Sequence, residues 1–155
     1  MIEIGQPFPD FALENQAGEK FTRKKLAGHW AVVYFYPKDN TAGCSLEAKD
    51  FTCLVEKFKA LKTAVVGVSP DSVKSHANFM TKAELNLTLL SDPEKSLLTA
   101  AGVWRLKKVC GRESYGVVRS TYLLDSKGLV RAAWDNVKAK GHAEAVLAKL
   151  SELKK

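Results

Sequence analysis

The pattern of apolar and polar positions predicts a chain in which strands and helices alternate. Residues 30–36 are continuously apolar and rich in β-branched and aromatic side chains, as expected for a strand that is buried on both faces. After a loop at 37–43, apolar residues recur at spacings of three and four, which predicts one long amphipathic helix over residues 44–60. A second buried strand is predicted at 63–68.

Capping residues and turns predict the remaining elements. Residues 69–71, Ser-Pro-Asp, have the order typical of a helix N-terminus, and the helix that they start extends to about residue 82. Residues 92–94, Asp-Pro-Glu, repeat this signal before a short helix that ends at Gly102. Further predicted elements are a strand at 87–90, a hairpin of strands 118–124 and 129–134, a helix at 141–153, and a small hairpin of 11–13 and 20–22.

This order of elements predicts an α/β fold with a mixed sheet and helices on both faces. Alternating strands and helices form right-handed parallel crossovers, whereas the late hairpin adds antiparallel strands. We therefore expect a thioredoxin-like fold with an N-terminal hairpin extension. A flavodoxin-like sheet is the alternative, but it would need a helix where residues 125–128 form a turn. The length of 155 residues predicts a single domain over residues 1–155.

Charge and hydropathy narrow the possible functions. The 24 Lys and Arg residues against 17 Asp and Glu give a net charge of +7. Because the basic clusters at 23–25, 105–108 and 154–155 are short and not interleaved with aromatic residues, we expect no nucleic-acid binding. The longest uncharged apolar stretch, 29–37, is far shorter than the roughly 20 residues of a membrane helix, so we expect no membrane partner. The N-terminus lacks the pattern of a secretory signal, and we therefore expect a cytoplasmic location.

The cysteines provide the candidate chemistry. They number three and include no Cys-x-x-Cys, which disfavours a disulfide framework and a zinc knuckle. Cys44 lies in the first turn of a predicted helix, where unpaired backbone N–H groups and the helix dipole favour a thiolate. The alternative is that Cys44 is a small buried apolar residue. We expect no metal site, because no histidine has a ligand-like spacing to another histidine or to a carboxylate: His29, His76 and His142.

The residues around Cys44 resemble a known family. The spacing Pro37-x-x-x-Thr41-x-x-Cys44, after a hydrophobic strand and at the start of a helix, resembles the active-site motif of the peroxiredoxins. The longer string Tyr-Pro-Lys-Asp-Asn-Thr-Ala-Gly-Cys at 36–44 is similar to the bacterioferritin comigratory protein (PrxQ) subfamily. The resemblance extends nearly end to end and includes Arg-Ser-Thr-Tyr-Leu-Leu-Asp at 119–125.

The resemblance implies a cofactor-free thiol peroxidase that is a monomer or a dimer. Cys44 would attack a hydroperoxide and become a sulfenic acid, which a thioredoxin-type or low-molecular-weight thiol would reduce. Thr41 would hold the peroxide oxygen in line, with a helix-capping hydroxyl as its simpler role, and Pro37 would shield the thiolate from water. Arg119 would favour the thiolate and stabilise the leaving oxygen. Glu47 would orient an arginine rather than transfer protons.

A disulfide oxidoreductase is the main alternative enzyme, because it uses the same fold. Its usual motif is Cys-x-x-Cys, but the third residue after Cys44 is Glu47, so the adjacent thiol is absent. A hydrolase with a Cys–His pair would need a histidine partner that the sequence does not identify.

The route that reduces oxidised Cys44 departs from the subfamily pattern. The two positions where the resemblance implies a second, resolving cysteine are Lys49 and Met80 in this chain. Cys110 lies in the basic segment 107–112, which we expect to be an irregular loop that can move. We predict that Cys110 is the resolving thiol, and a one-cysteine mechanism with an external thiol is the alternative.

Overall fold

The elements follow the predicted alternation, in a computed structural model that describes the backbone of residues 1–155 and every side chain except that of Val109. The strands are β1 Ala12–Asn15, β2 Lys20–Thr22, β3 Trp30–Phe35, β4 Thr63–Ser69, β5 Thr88–Ser91, β6 Trp104–Val109, β7 Arg112–Val117, β8 Ser120–Leu124 and β9 Val130–Trp134. The helices are α1 Ala42–Cys53, α2 Val55–Ala60, α3 Val73–Lys82, α4 Ser96–Ala100 and α5 His142–Leu153, with a short 3-10 helix at Arg23–Leu26. Within this described chain, no helix is both long enough and apolar enough to cross a membrane.

The central sheet is mixed, as predicted. Its seven strands lie in the order β2-β1-β5-β4-β3-β8-β9. The strands β3, β4 and β5 are parallel to one another, whereas β8 is antiparallel to β3 and forms a hairpin with β9. The hairpin of β1 and β2 extends the other edge through an antiparallel pair with β5. This arrangement confirms the mixed sheet with an N-terminal hairpin, and the antiparallel β8–β9 pair excludes the flavodoxin-like alternative.

Strand β3 separates two hydrophobic cores. Its side chains alternate, so that Val33 and Phe35 face a core covered by α4 and the N-terminal segment, while Val32 and Tyr34 face a core covered by α1, α2, α3 and α5. Burial on both faces explains why the strand is continuously apolar. Cys44 belongs to the second core, so the candidate nucleophile lies between the sheet and this helical layer.

The prediction of one helix over residues 44–60 is wrong, because the chain forms α1 and α2 with a break at Leu54. The backbone of Leu54 leaves the helical region with φ −98° and ψ 2°, and its N–H is shared between the carbonyls of Asp50 and Phe51. The apolar periodicity continues across the break, since Phe51 and Phe58 are both fully buried. A pattern of apolar residues therefore cannot reveal this break.

Two helices begin later than their capping signals predict. Residues 69–71 do not start α3: the Ser69 hydroxyl donates to Asp71, and Ser72 is the N-cap, accepting from the backbone N–H of Ser75. Similarly, α4 begins at Ser96, although the Asp92 carboxylate still accepts from the first N–H groups of that helix. Ser72 and Asp92 both lie outside the helices, and their side chains accept hydrogen bonds from the N–H groups of the first helical turns.

The prediction of an irregular loop at 107–112 is also wrong. Strands β6 and β7 pair from Trp104↔Val117 to Val109↔Arg112 and form a separate two-stranded sheet. Cys110 and Gly111 form its two-residue turn, both with positive φ, 53° and 79°, as a type I′ turn requires. Trp104, Leu106, Tyr115 and Val117 share one face of this hairpin, but the alternation of apolar and polar residues in β6 ends at Lys107 and Lys108 and is too short to identify a strand.

Candidate active site

Cys44 lies at the start of α1, immediately beyond the carboxyl end of β3. It is the third residue of the helix and only 1% exposed. Thr41 is the N-cap residue, but its side chain makes no capping hydrogen bond and instead donates to the carbonyl of Lys38. The first N–H groups of α1 therefore have no capping side chain from Thr41, and this end of the helix favours a negative charge.

Arg119 contacts the sulfur of Cys44. The prediction that Arg119 lies within a strand is wrong, because β8 begins one residue later. Its first residue, Ser120, pairs with Phe35 at the end of β3. This register brings two residues that are 75 positions apart into contact, and Arg119 Nη2 donates to Cys44 Sγ at 3.2 Å. A Cβ atom on Gly43 would lie 3.2 Å from the same Nη2, so glycine at this position keeps the approach open.

Glu47 holds the other side of the guanidinium. Arg119 Nη1 donates to Glu47 Oε1 at 2.6 Å, and the Glu47 side chain is fully buried. Burial raises the pKa of Glu47 to about 7, although the charge and the hydrogen bond of Arg119 oppose the rise. Among the described side chains, two buried polar atoms have no hydrogen-bond partner: Glu47 Oε2 and Tyr34 Oη. Both belong to the core beneath the site, so the carboxylate is only partly compensated.

The groups around Arg119 favour its charged form. Burial alone would lower the pKa of Arg119, but Glu47 and Cys44 outweigh it and raise the pKa. His142, at the start of α5, forms a hydrogen bond through Nε2 with the Thr121 hydroxyl at 2.8 Å. Burial and then the charge of Arg119 lower the pKa of His142 to about 4, so this ring is neutral near pH 7 and adds no competing charge.

The remaining predicted site residues are Pro37, Thr41 and Cys110. Pro37 follows β3 and is half-buried, while Thr41 is exposed at the mouth of the site. The structure thus brings Cys44, Arg119 and Glu47 together, with Thr41 three residues before the sulfur. Cys110 is exposed at the tip of the β6–β7 hairpin. Five residue steps of about 3.4 Å, or roughly 17 Å, separate the first pair of the hairpin, Trp104↔Val117, from the last pair, Val109↔Arg112, and the tip lies beyond the last pair.

Sequence reasoning missed a second polar cluster beside the site. Asp39, in the loop between β3 and α1, lies with Asp71 and His76 so that one potential ligand atom of each residue is within 4.8 Å of the others. The three residues are spread over 38 positions, and their spacing gives no sign of this grouping. The only sequence signal is the position of Asp39 inside the motif around Cys44.

Comparison with known proteins gives matches over nearly the whole chain. Residues 4–133 match the model of the AhpC/TSA family. The chain is 45% identical to peroxiredoxin Bcp of Xanthomonas campestris over 150 residues, or 97% of this chain and 94% of that protein. It is 43% identical to peroxiredoxin Bcp of Bacillus subtilis over 152 residues, which are 98% of this chain and 97% of the relative.

Solved structures give the same result for the fold. The bacterioferritin comigratory protein of X. campestris, studied for its alkyl peroxide reduction activity, superposes with a TM-score of 0.90 at 43% identity, covering 94% of this chain and 92% of that one. A cysteine-to-serine variant of PrxQ from Xylella fastidiosa superposes with a TM-score of 0.95 at 35% identity, covering 100% and 99% of the two chains. These matches confirm the thioredoxin-like fold.

The raised pKa of Glu47 predicts a pH-dependent stability. The folded state holds this proton up to a pKa of about 7, whereas the ordinary pKa of a glutamate, which applies to the unfolded chain, is 4.5. Relative to Glu47→Gln, the free energy of unfolding of the wild type should therefore fall as the pH rises from about 4.5 to above 7, by up to about 3 kcal/mol. Urea unfolding of both proteins across this range measures the difference.

Glu56→Gln is the matched control, because Glu56 is an exposed carboxylate on the neighbouring helix α2. This variant measures how the loss of one carboxylate from the surface changes the stability. A difference for Glu47→Gln that does not vary with pH would show that the buried carboxyl group does not titrate in this range.

Proposed function

This chain belongs to the AhpC/TSA family, within its Bcp/PrxQ peroxiredoxins, and we propose that Cys44 is the residue through which it acts. The chain is a thiol-dependent peroxidase, an enzyme whose substrates are a hydroperoxide and a reducing thiol. The observation that carries the assignment of Cys44 is its contact with Arg119 at 3.2 Å. Cys53 and Cys110 are exposed, and neither has a described hydrogen bond to an arginine.

The proposed reaction begins with the thiolate of Cys44. Its sulfur attacks the terminal oxygen of the hydroperoxide, so that an S–O bond forms while the O–O bond breaks. The hydroxyl group remains on sulfur as a sulfenic acid, and the other oxygen leaves with the bonding electron pair. A proton from solvent completes the product, which is water or an alcohol. The sulfur is oxidised by two electrons and the peroxide is reduced by two.

Arg119 acts on both ends of this step. Its Nη2 group stabilises the thiolate before attack, and the same positive charge lies where negative charge develops on the leaving oxygen. Glu47 fixes the guanidinium through its bond to Nη1 and therefore positions the arginine. A lysine could not donate to Cys44 and to Glu47 with the same planar geometry.

The loop before α1 completes the proposed site. Thr41 stands at the mouth with its backbone fixed as the N-cap of α1, where its hydroxyl can turn from the Lys38 carbonyl toward a bound peroxide. Pro37 has no N–H group and limits the conformations of the loop, which supports its role in excluding water from the thiolate.

We propose that an external thiol reduces the sulfenic acid. A first thiol displaces the hydroxyl group as water and forms a mixed disulfide with Cys44, and a second thiol then releases Cys44 by thiol–disulfide exchange. A thioredoxin-type protein or a low-molecular-weight thiol supplies both sulfurs. The three free cysteines fit a reducing setting such as the cytoplasm.

Cys110 remains the alternative resolving thiol. Both thiols are free, and Cys44 is buried whereas Cys110 is exposed at the hairpin tip. A disulfide requires Cα atoms within about 7 Å, so a bond between these two cysteines needs the exposed thiol to reach the buried sulfur. The external route makes no demand on the position of the hairpin.

Replacement of the proposed nucleophile tests the assignment directly. We expect Cys44→Ser to abolish the consumption of hydrogen peroxide with dithiothreitol as the reductant, because the hydroxyl group of serine does not ionise near pH 7. Cys53→Ser and Cys110→Ser should retain turnover under the same conditions. Undiminished turnover in Cys44→Ser would rule out Cys44 as the reacting thiol.

Arg119 should act on the chemical step rather than on folding. Since one positioned donor is worth about 100- to 1,000-fold in rate, Arg119→Met should slow the reaction of reduced enzyme with peroxide by a factor in this range. Rapid-mixing measurement of that reaction, with circular dichroism as the check on folding, gives the answer. A variant with the wild-type rate would leave Arg119 with a structural role only.

Peptide mapping of peroxide-treated enzyme distinguishes the two routes of reduction. The external route predicts a sulfenic acid on Cys44, trapped with dimedone, while Cys110 stays free. A peptide that links Cys44 to Cys110 would overturn this proposal. Dilution of the enzyme before oxidation then identifies the linkage, because only a bond within one chain is insensitive to protein concentration.

A further inference from the structure

The loop between β3 and α1 is fastened to α3 by buried polar side chains. Asp39 lies in this loop and is 5% exposed, while His76 lies on α3 and is fully buried. Asp39 Oδ2 and His76 Nδ1 are 2.7 Å apart. A buried polar pair of this kind is expensive to desolvate unless its hydrogen bonds are complete, so its partners decide whether it is stable.

The hydrogen bonds of His76 are complete. Its Nδ1 faces the Asp39 carboxylate, and its Nε2 faces the carbonyl of Leu90 on β5 at 2.9 Å. A carbonyl oxygen only accepts, and an ionised carboxylate also only accepts. The ring thus lies between two acceptor groups and spans the distance between the loop and the sheet.

Asp39 is surrounded by donors. Besides His76, the Tyr36 hydroxyl donates to Oδ1 at 2.6 Å and the Ser75 hydroxyl donates to Oδ2 at 2.7 Å. Burial by itself would raise the pKa of Asp39, but the hydrogen bonds from His76 and Tyr36 outweigh burial and lower it. The backbone N–H of Asp39 donates to Asp71 Oδ2 at 2.7 Å, so both the side chain and the main chain of this residue are held.

The geometry does not favour a metal ion between these groups. The short distance between Asp39 Oδ2 and His76 Nδ1 is that of a direct hydrogen bond, and two ligands of one ion, each about 2.0–2.2 Å from it, would normally lie farther apart. Asp71 Oδ2 is also occupied, since it accepts from the backbone of Asp39 and from the Ser69 hydroxyl. We therefore interpret the cluster as a set of direct hydrogen bonds without a metal ion.

The position of Asp39 in the chain connects these hydrogen bonds to Cys44. Asn40 follows it with φ 63°, a left-handed conformation that is uncommon outside glycine, and Thr41 then caps α1 three residues before Cys44. The orientation of the first turn of α1 therefore depends on where Asp39 is anchored. A loop with this backbone conformation needs such an anchor to stay in one arrangement.

We propose that Asp39 and His76 form a clamp that positions the loop 37–41, and with it the sulfur of Cys44, against Arg119. Both are positioning residues, since neither contacts the sulfur within the described structure. The proposal rests on the proposed function, because it concerns the reactivity of Cys44. It assigns to α3 a part in catalysis through a contact 37 residues away in sequence.

Asp39→Asn, His76→Gln and the double variant test the clamp. Because small displacements of reacting groups slow reactions strongly, we expect each single variant to slow the reaction of reduced Cys44 with hydrogen peroxide by about 10- to 100-fold. The double variant should be no slower than the slower single variant, since both changes remove the same contact. The ultraviolet absorbance of the Cys44 thiolate should weaken in parallel.

Two further variants keep the test informative. Ser75→Ala removes only one donor to Asp39 and should fold even where the others do not, with a smaller loss of rate. Val130→Ala truncates a fully buried side chain that pairs with Leu124, at the end of β8 opposite Arg119, and should lower the thermal midpoint without changing the rate.

The outcomes separate the clamp from the proposed function. If wild-type Cys44 does not react with peroxide, the proposed function fails. If wild-type Cys44 reacts and the clamp variants, Ser75→Ala included, react at the same rate despite lower thermal midpoints, the pair is structural and only the clamp is overturned. Rate loss in Val130→Ala equal to that in the clamp variants would also overturn it.

Discussion

The contact between the guanidinium of Arg119 and the sulfur of Cys44 is the interaction on which the site depends. Cys44 is almost fully buried, and burial disfavours a charged sulfur unless a positive group compensates it. Arg119 supplies that charge at 3.2 Å, and Glu47 fixes the opposite side of the guanidinium at 2.6 Å. The start of α1 adds unpaired N–H groups and its dipole. Without the arginine, the pocket would favour a neutral and unreactive thiol.

The architecture of the sheet makes this contact possible. The register that pairs Phe35 with Ser120 places Arg119 beside the loop that leads into α1. Glycine at position 43 leaves space for the guanidinium. The ring of His142 is neutral near pH 7, so it adds no second positive charge that would repel the guanidinium. Burial of Glu47 is energetically unfavourable: its pKa is raised to about 7, and its Oε2 has no hydrogen-bond partner among the described residues. This unfavourable burial is offset by the hydrogen bond through which Glu47 fixes the guanidinium of Arg119.

Local sequence patterns predicted those parts of the molecule that depend on local physics. The continuous apolar run of β3 identifies a strand buried on both faces, and the turn at 125–128 predicts the β8–β9 hairpin. The break at Leu54 was missed because it does not interrupt the apolar period, and the β6–β7 hairpin was missed because its apolar alternation is short and ends at Lys107 and Lys108. The partnership of Asp39 with His76 is invisible for another reason: it arises only when the sheet brings α3 beside the loop. Similarly, the resemblance pointed to Arg119, but only the strand register explains how it reaches the sulfur.

The most direct test of the contact between Arg119 and Cys44 is the rate at which iodoacetamide alkylates Cys44 in the reduced enzyme at about pH 7, measured in the wild type and in Arg119→Met, with Cys44→Ser as the blank. We expect Cys44 in Arg119→Met to be alkylated much more slowly than in the wild type, because the thiolate is the reacting form and the guanidinium stabilises it. Equal alkylation rates in the two proteins would contradict the central role of this contact.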